Sequence, residues 1–138
     1  MSSSNAASRV TLDHVAVQTA HFDEAVAFYT TILGAELLEC RPFKRRRMAW
    51  LRLGAVKIEL VGKRAGETLP EGNDLQRGPV HLAVRVDDLE SILTTALAKG
   101  ARFHPSHPAP FTPPVPGARP IAYLLGPDGE EVEIRDEA

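Results

Sequence analysis

Two histidines and two glutamates are spaced so that they could bind one metal ion. His14 and His81 each open the pattern His-x-Ala-Val, in LDHVAVQ and in PVHLAVRV. Further along each copy a strand-like segment carries an acid, Glu59 in KIELV and Glu133 in EVEIR. Alone, each of these residues would more often be structural than functional, but the repetition of the pair favours a shared site. Two imidazoles and two carboxylates suit a divalent ion such as Ni²⁺, Zn²⁺, Co²⁺, Mn²⁺ or Fe²⁺.

The alternation of residue types predicts that these side chains point away from the core. In PVHLAVRV the aliphatic residues take one face of a strand and His81 takes the other. In VKIELV the aliphatic residues again share a face, which leaves Glu59 on the opposite one. A polar pair in such a position is costly unless it is hydrogen-bonded, solvated or bound to an ion. Two related units packed about a pseudo-twofold axis would bring the four side chains together.

The elements that must position these residues follow the same order in both halves. Each half begins with a strand, continues with an amphipathic helix that ends at a glycine, and closes with a hairpin. Strands are predicted over 10–17 and 80–86, and helices over 22–33 and from a cap at Asp87 or Asp88 to Lys99. Hairpins are predicted over 48–61 and 121–135. Most of the 11 prolines lie between Pro105 and Pro120, which predicts an ordered loop that is either a surface connection or a segment in contact with a ligand.

Length and composition predict one soluble globular domain. The chain has 138 residues, of which 43% are hydrophobic and 25% charged, as in ordinary globular proteins. We expect a disordered tail over 1–9 and a single domain over 10–138, with module one at 10–66 and module two at 78–137. The net charge of −2 argues against nucleic acid as a partner, and no apolar run is long enough for a membrane helix. Cys40 is the single cysteine, and a cytoplasmic location is expected.

Five segments together resemble the vicinal oxygen chelate superfamily, which includes glyoxalase I, methylmalonyl-CoA epimerase, resistance proteins for fosfomycin and bleomycin, and extradiol dioxygenases. The resemblance covers nearly the whole chain and is carried by LDHVAV, AVAFYTTILG, KIELV, PVHLAVRVDD and GPDGEEVEI. It implies an α+β fold in which two tandem βαβββ modules form a U-shaped, half-barrel sheet with helices on the outer face. It also implies one divalent metal ion per site, bound by His14, Glu59, His81 and Glu133.

The resemblance implies a metal-dependent lyase or isomerase of the glyoxalase type, which transfers a proton next to a carbonyl while the metal stabilises the enolate. Glu133 and Glu59 are the candidate catalytic bases, and Glu133 is preferred because a flexible turn precedes it. The alternatives are racemisation of an acyl-CoA by an epimerase-like enzyme, a resistance-type binding protein without turnover, and a dioxygenase. A small-molecule substrate and a homodimer are expected.

Four further residues are candidates for substrate binding, namely Trp50, Arg52, Lys63 and Arg85. The glutathione-dependent glyoxalases usually carry Arg where this chain has Gln18, and Asn where it has Lys63. Both family residues hold the glutathione moiety, so the sequence predicts poor turnover of a glutathione adduct. The basic segment from Arg41 to Arg47 is interpreted first as a solvated hairpin, and as the anchor of an anionic substrate tail in the alternative.

Overall fold

The computed structural model describes residues 11–71, 75 and 77–137. The predicted disordered tail at 1–9 lies outside these residues. None of the helices in the described ranges is long and apolar enough to cross a membrane. The elements, in chain order, are β1 (His14–Thr19), α1 (Phe22–Ala27), β2 (Glu36–Phe43), β3 (Arg46–Leu53), β4 (Val56–Gly62), β5 (His81–Val86), α2 (Leu89–Ala98), β6 (Ile121–Leu125) and β7 (Glu131–Asp136).

The strands form two open sheets, ordered β1-β4-β3-β2 and β5-β7-β6. In each sheet the first strand of the module pairs in parallel with the last, so that Ala16 lies opposite Glu59 and Ala83 lies opposite Glu133. The neighbouring antiparallel strand places an aromatic residue opposite each glutamate, Trp50 in one sheet and Tyr123 in the other. The internal repeat is therefore reproduced residue by residue, and the α+β fold of paired modules is confirmed.

The modules differ at the position of β2, an edge strand that residue alternation did not predict, although the βαβββ modules implied by the resemblance include it. All eight residues of β2 are exposed, so it lacks the alternation that identifies a half-buried strand, and it contains Pro42, which edge strands tolerate. In the second module the equivalent edge is formed only by two isolated bridges, Phe103 to Leu124 and Phe111 to Ile121. The prolines between these bridges remove the backbone donors that a continuous ladder would need.

Both predicted helices are present. The α1 helix continues as a π-helical segment, Phe28–Ile32, and the backbone beyond it turns at Gly34, whose φ of 78° suits a glycine. The α2 helix begins at Asp88, whose side chain accepts a hydrogen bond of 3.1 Å from the backbone N–H of Ser91. The alternative cap at Asp87 is not used.

One hydrophobic core joins the two modules. It combines residues of both helices with the inward residues of both sheets, including Tyr29, Leu51, Leu60, Leu124 and Ile134. The opposite face of each sheet is called here its open face. Because side chains alternate along a strand, the open face of the first sheet carries the side chains of β1, β3 and β4 that alternate with core residues, and the second sheet repeats this arrangement.

A polar contact fastens α1 to the turn between β6 and β7. The Tyr29 hydroxyl donates a hydrogen bond of 2.9 Å to the Glu130 carboxylate, and the Asp128 side chain accepts one of 2.7 Å from the backbone N–H of Ala20. A Cβ atom at Gly126 would clash with the Glu130 side chain, so a larger residue there would displace this carboxylate from its contact with Tyr29. Burial and the nearby Glu130 charge raise the pKa of Tyr29, which keeps it a hydrogen-bond donor. The contact explains why FYTTILG and GPDGEE occur together.

Replacing Tyr29 by phenylalanine should lower the free energy of unfolding by about 1–2 kcal/mol, because a half-buried carboxylate loses a donor. Urea denaturation followed by circular dichroism measures the change. Thr31→Ala is the control, since its hydroxyl bonds only to the backbone oxygen of Ala27 within the same helix. Equal stability of Tyr29→Phe and the unmodified protein would contradict a stabilising role for this contact.

Candidate metal site

The first half of the site is the pair His14 and Glu59 on the open face of the first sheet. The His14 Nε2 atom lies 3.6 Å from Oε1 of Glu59. On its other side, Nδ1 of His14 lies 2.7 Å from a carboxylate oxygen of Asp13. The hydrogen bond from His14, helped by the charge of Lys57, holds the pKa of Asp13 below its usual value. Asp13 therefore stays ionised and orients the imidazole with Nε2 toward Glu59.

Trp50 and Lys57 surround this pair. The Trp50 ring stands edge-on to the His14 ring with 4.7 Å between centroids, and the Lys57 ammonium lies 5.3 Å from the Trp50 centroid. The indole restricts the rotation of His14 and covers one side of it with an apolar surface. Trp50, predicted to bind substrate, therefore lies directly beside the first half-site.

The second half of the site is the pair His81 and Glu133 on the open face of the second sheet. Their Nε2 and Oε1 atoms are 3.2 Å apart. The Nδ1 atom of His81 lies 3.7 Å from Oε1 of Glu131, so a second carboxylate again stands behind the imidazole. Both half-sites thus present Nε2 to a glutamate and Nδ1 to another acid.

Glu133 is held far more tightly than Glu59. The Arg135 guanidinium donates a hydrogen bond of 2.6 Å to Oε2 of Glu133, and the Tyr123 hydroxyl donates one of 3.2 Å to Oε1. The Glu133 side chain is 8% exposed and that of Glu59 is 19% exposed. Burial and the Glu133 charge raise the pKa of Tyr123, and the bond to Glu133 raises the pKa of Arg135.

The donor atoms of each half-site fit a divalent metal ion. Two atoms bound to one ion at about 2.0–2.2 Å, with bond angles between square and tetrahedral, lie roughly 3.0–3.6 Å apart. The separations of 3.6 Å and 3.2 Å match this range. A carboxylate behind a metal-binding imidazole is also the usual arrangement, because it fixes the tautomer and the ring orientation.

The two half-sites do not form one site within a single chain. Across the described ranges, which include all four predicted ligands, no group of three or more His, Cys, Asp or Glu side chains is arranged to hold a metal ion. Each chain therefore supplies two pairs of ligands, and their convergence remains a prediction.

The proline-rich segment adds residues that the sequence did not single out. His107 stacks on Tyr123 and Phe111 with centroid separations of 4.5 and 4.9 Å, and Ser106 donates a hydrogen bond of 2.8 Å to Glu131. These contacts place the segment over the second half-site, beside the carboxylate that faces His81. The spacing His-Pro-Ser-His carries no periodic signal, so only the tertiary structure reveals this position.

The remaining predicted substrate-binding residues lie at the margins. Arg52 and Arg85 are exposed on the open faces and form ion pairs with Glu36 at 3.2 Å and Glu137 at 3.5 Å. Lys63 is exposed just beyond the end of β4. The structure brings Trp50 to the first half-site and leaves these three cations outside both half-sites.

Comparisons with known proteins identify the relatives of this chain. The sequence profile of the Glyoxalase/Bleomycin resistance protein/Dioxygenase superfamily matches residues 11–134. The mitochondrial methylmalonyl-CoA epimerase of Homo sapiens is 30% identical over 97 residues, which cover 66% of this chain and 54% of that protein. A probable chloroplastic lactoylglutathione lyase of Arabidopsis thaliana is 28% identical over 123 residues, which cover 88% of this chain and 34% of that protein.

The chain thus spans about half or less of the length of these two relatives. Among solved structures, glyoxalase I from Zea mays superposes with a TM-score of 0.76 at 23% identity, covering 92% of this chain and 44% of that one. At this identity the similarity to glyoxalase I establishes the fold alone.

Proposed function

The chain belongs to the Glyoxalase/Bleomycin resistance protein/Dioxygenase superfamily, and we propose that it is a divalent-metal-dependent lyase or isomerase that transfers a proton next to a carbonyl group. The observation that carries the proposal is the repeated His–Glu pair, with donor separations suited to one ion. The acid behind each imidazole supports it further.

His14, Glu59, His81 and Glu133 would hold the metal, whose identity among Ni, Zn, Co, Mn and Fe is left open. When bound, the ion would act as a Lewis acid toward a substrate oxygen and make the neighbouring C–H bond more acidic. Asp13 and Glu131 orient the two imidazoles. Trp50 and Tyr123 cover the polar pairs with aromatic surface, which limits access of water to a carboxylate that moves a proton.

We propose further that the site is completed between two copies of the chain. Each copy has one pair on each of two separate sheets, and the described residues of one chain do not join these pairs. The internal repeat allows the first half-site of one protomer to face the second half-site of another about a twofold axis. A homodimer would then contain two complete sites.

Three activities remain to be distinguished. The similarity to an epimerase and to a lactoylglutathione lyase supports chemistry at a carbon next to a carbonyl. Gln18 and Lys63 stand where glutathione-dependent glyoxalases usually have Arg and Asn, which favours a substrate other than a glutathione adduct. A metal-containing protein that exchanges no substrate proton would instead be a binding protein of the resistance type.

Metal analysis of protein purified without added metal, combined with proton exchange, tests the proposal. We expect about one divalent ion per chain and exchange of a substrate C–H proton with solvent deuterium, detected by NMR. The screen should include 2-oxoaldehyde–thiol adducts and acyl-CoA thioesters. His81→Ala should lose metal and exchange together, because it removes a ligand.

His21→Ala is the matched control, since this exposed histidine lies at the start of α1, away from both half-sites. It should retain both properties. Full metal content in His81→Ala, or exchange by protein freed of metal, would contradict the proposal. Oxygen consumption coupled to substrate loss would instead assign a dioxygenase.

A further inference from the structure

The turn between β2 and β3 places positive charge on the open face that carries His14 and Glu59. Lys44 and Arg45 form the two-residue turn, and Arg46 is the first residue of β3. Side chains alternate along a strand, so Arg46 shares its face with Trp50. Arg41 lies opposite Met48 in the register of the hairpin and faces the same way.

The register fixes how far these cations lie from the first half-site. Trp50 is directly opposite Glu59, and Arg46 is four residues before Trp50 along the same strand. At the usual rise per residue this is about 13 Å. Met48 lies midway between them and is buried, so no further charge stands between Arg46 and Trp50 on this face of the strand.

The charges of this turn are largely unmatched. Arg41 has a partner in Glu39 at 3.4 Å, whereas none of Lys44, Arg45 and Arg46 forms an ion pair with a carboxylate of the described part of the chain. The charge of Arg46 helps to lower the pKa of Glu67, but the Glu67 carboxylate is already hydrogen-bonded to Arg64.

The Nε atom of Arg46 is the clearest example here of a hydrogen-bond donor that lacks an acceptor. It is buried and has no hydrogen-bond partner among the described residues. Buried donors of charged groups are nearly always satisfied, so this atom calls for an acceptor beyond the described residues, and a bound anion is one.

The backbone of the turn is strained at two of these cations. Lys44 and Arg45 have φ angles of 52° and 65°, in the left-handed region that two-residue hairpin turns fill with Asn-Gly. Arg64 holds this conformation by donating a hydrogen bond of 2.8 Å from Nε to the Lys44 carbonyl oxygen. Two long cationic side chains thus occupy positions that favour Asn and Gly.

We propose that Arg46, together with Arg41, Lys44 and Arg45, binds a phosphate-bearing tail of the substrate whose reacting end lies at Glu59. The assignment of this ligand as substrate rests on the proposed function, whereas the anion site itself does not. A single carboxylate would leave most of these cations unmatched, and guanidinium groups bind phosphate in a bidentate manner. The substrate class is thus a carbonyl compound on an arm long enough to span about 13 Å and ending in phosphate.

Calorimetry with inorganic pyrophosphate on metal-free protein tests the site directly. We expect saturable binding that weakens with salt, and much weaker binding of succinate at the same ionic strength. Arg46→Ala should weaken pyrophosphate binding by about 10- to 100-fold, as expected for loss of a charge-assisted contact. Arg119→Ala removes an equal charge from the second module, where Arg119 pairs with Asp136, and should leave binding unchanged.

A double variant, Lys44→Asn with Arg45→Gly, separates binding from folding. It supplies the residues that the turn prefers, so thermal stability should be kept or increased while pyrophosphate binding weakens. Equal binding by the unmodified protein and both variants would overturn the anion site, as would stronger dependence on Arg119 than on Arg46. Tighter binding of a short DNA duplex than of pyrophosphate, lost in Arg46→Ala, would assign the patch to nucleic acid and also overturn the proposal. Because metal-free protein is used, failure of the proposed metal chemistry would leave these results intact.

Discussion

A heterodimer of His14→Ala and His81→Ala chains should bind about half as much metal as the unmodified dimer, although each variant alone binds almost none. If each site combines His14 and Glu59 of one protomer with His81 and Glu133 of the other, the heterodimer has one site without imidazoles and one intact site. In either homodimer both sites lack one imidazole, and the affinity should fall by more than about 100-fold. Co-expression with two affinity tags yields the heterodimer for metal analysis.

The same heterodimer distinguishes this arrangement from a site within one chain. In the latter case each chain carries its own damaged site, and mixing restores nothing. A heterodimer as empty as its parents would therefore contradict the shared site, as would a monomeric unmodified protein in light scattering at micromolar concentration. The matched control combines His21→Ala with His81→Ala, and this heterodimer too should keep one intact site.

Much of the fold could be predicted because the repeated sequence encodes it locally. The alternation in β5 and β4, the glycine after each helix and the Pro-Asp-Gly turn are signals within a few residues of each other. The β2 strand lacked such a signal because all of its residues are exposed. The π-helical end of α1 was also not predicted, since it depends on the packing of Phe28 and Tyr29 in the core.

The candidate site could be predicted only in part, for a related physical reason. Strand parity correctly places His14, Glu59 and His81 away from the core, because parity is a local property. The bonds from Tyr123 and Arg135 to Glu133 depend on register and side-chain conformation, which no local pattern encodes. The contact of Ser106 with Glu131 joins residues far apart in sequence, and its segment has no period.

These bonds bear on which glutamate moves the proton. From the sequence, Glu133 is the preferred base because the Asp128-Gly129 turn that precedes it is expected to be flexible. The structure instead surrounds Glu133 with two donors, one on each carboxylate oxygen. These two bonds restrain the movement of the Glu133 carboxylate toward a substrate proton. Among the described residues, Glu59 has the His14 imidazole at 3.6 Å as its one polar side-chain partner, and its side chain is more exposed, so it can reorient at lower cost.

We therefore expect Glu59→Gln to lose proton exchange by about 10²–10⁴-fold, the usual contribution of a general base, while it keeps most of its metal. The two imidazoles and Glu133 remain to hold the ion in this variant. Glu133→Gln should lose metal as well as exchange, because it removes an anionic ligand and the closest ion-pair partner of the Arg135 guanidinium beside the site. Metal content and exchange of the substrate C–H proton with solvent deuterium are measured on both variants.

The same two variants can also contradict the assignment of Glu59 as the base. If Glu133→Gln keeps its metal and loses exchange while Glu59→Gln remains active, then Glu133 is the base despite its two hydrogen bonds. Equal losses of exchange with metal retained in both variants would instead mean that one carboxylate removes the proton and the other returns it. That result would favour racemisation, because proton removal and return on opposite faces of a carbon invert its configuration. Arg135→Lys serves as the control. It keeps a cation beside Glu133 on a shorter side chain, so the metal content should be preserved.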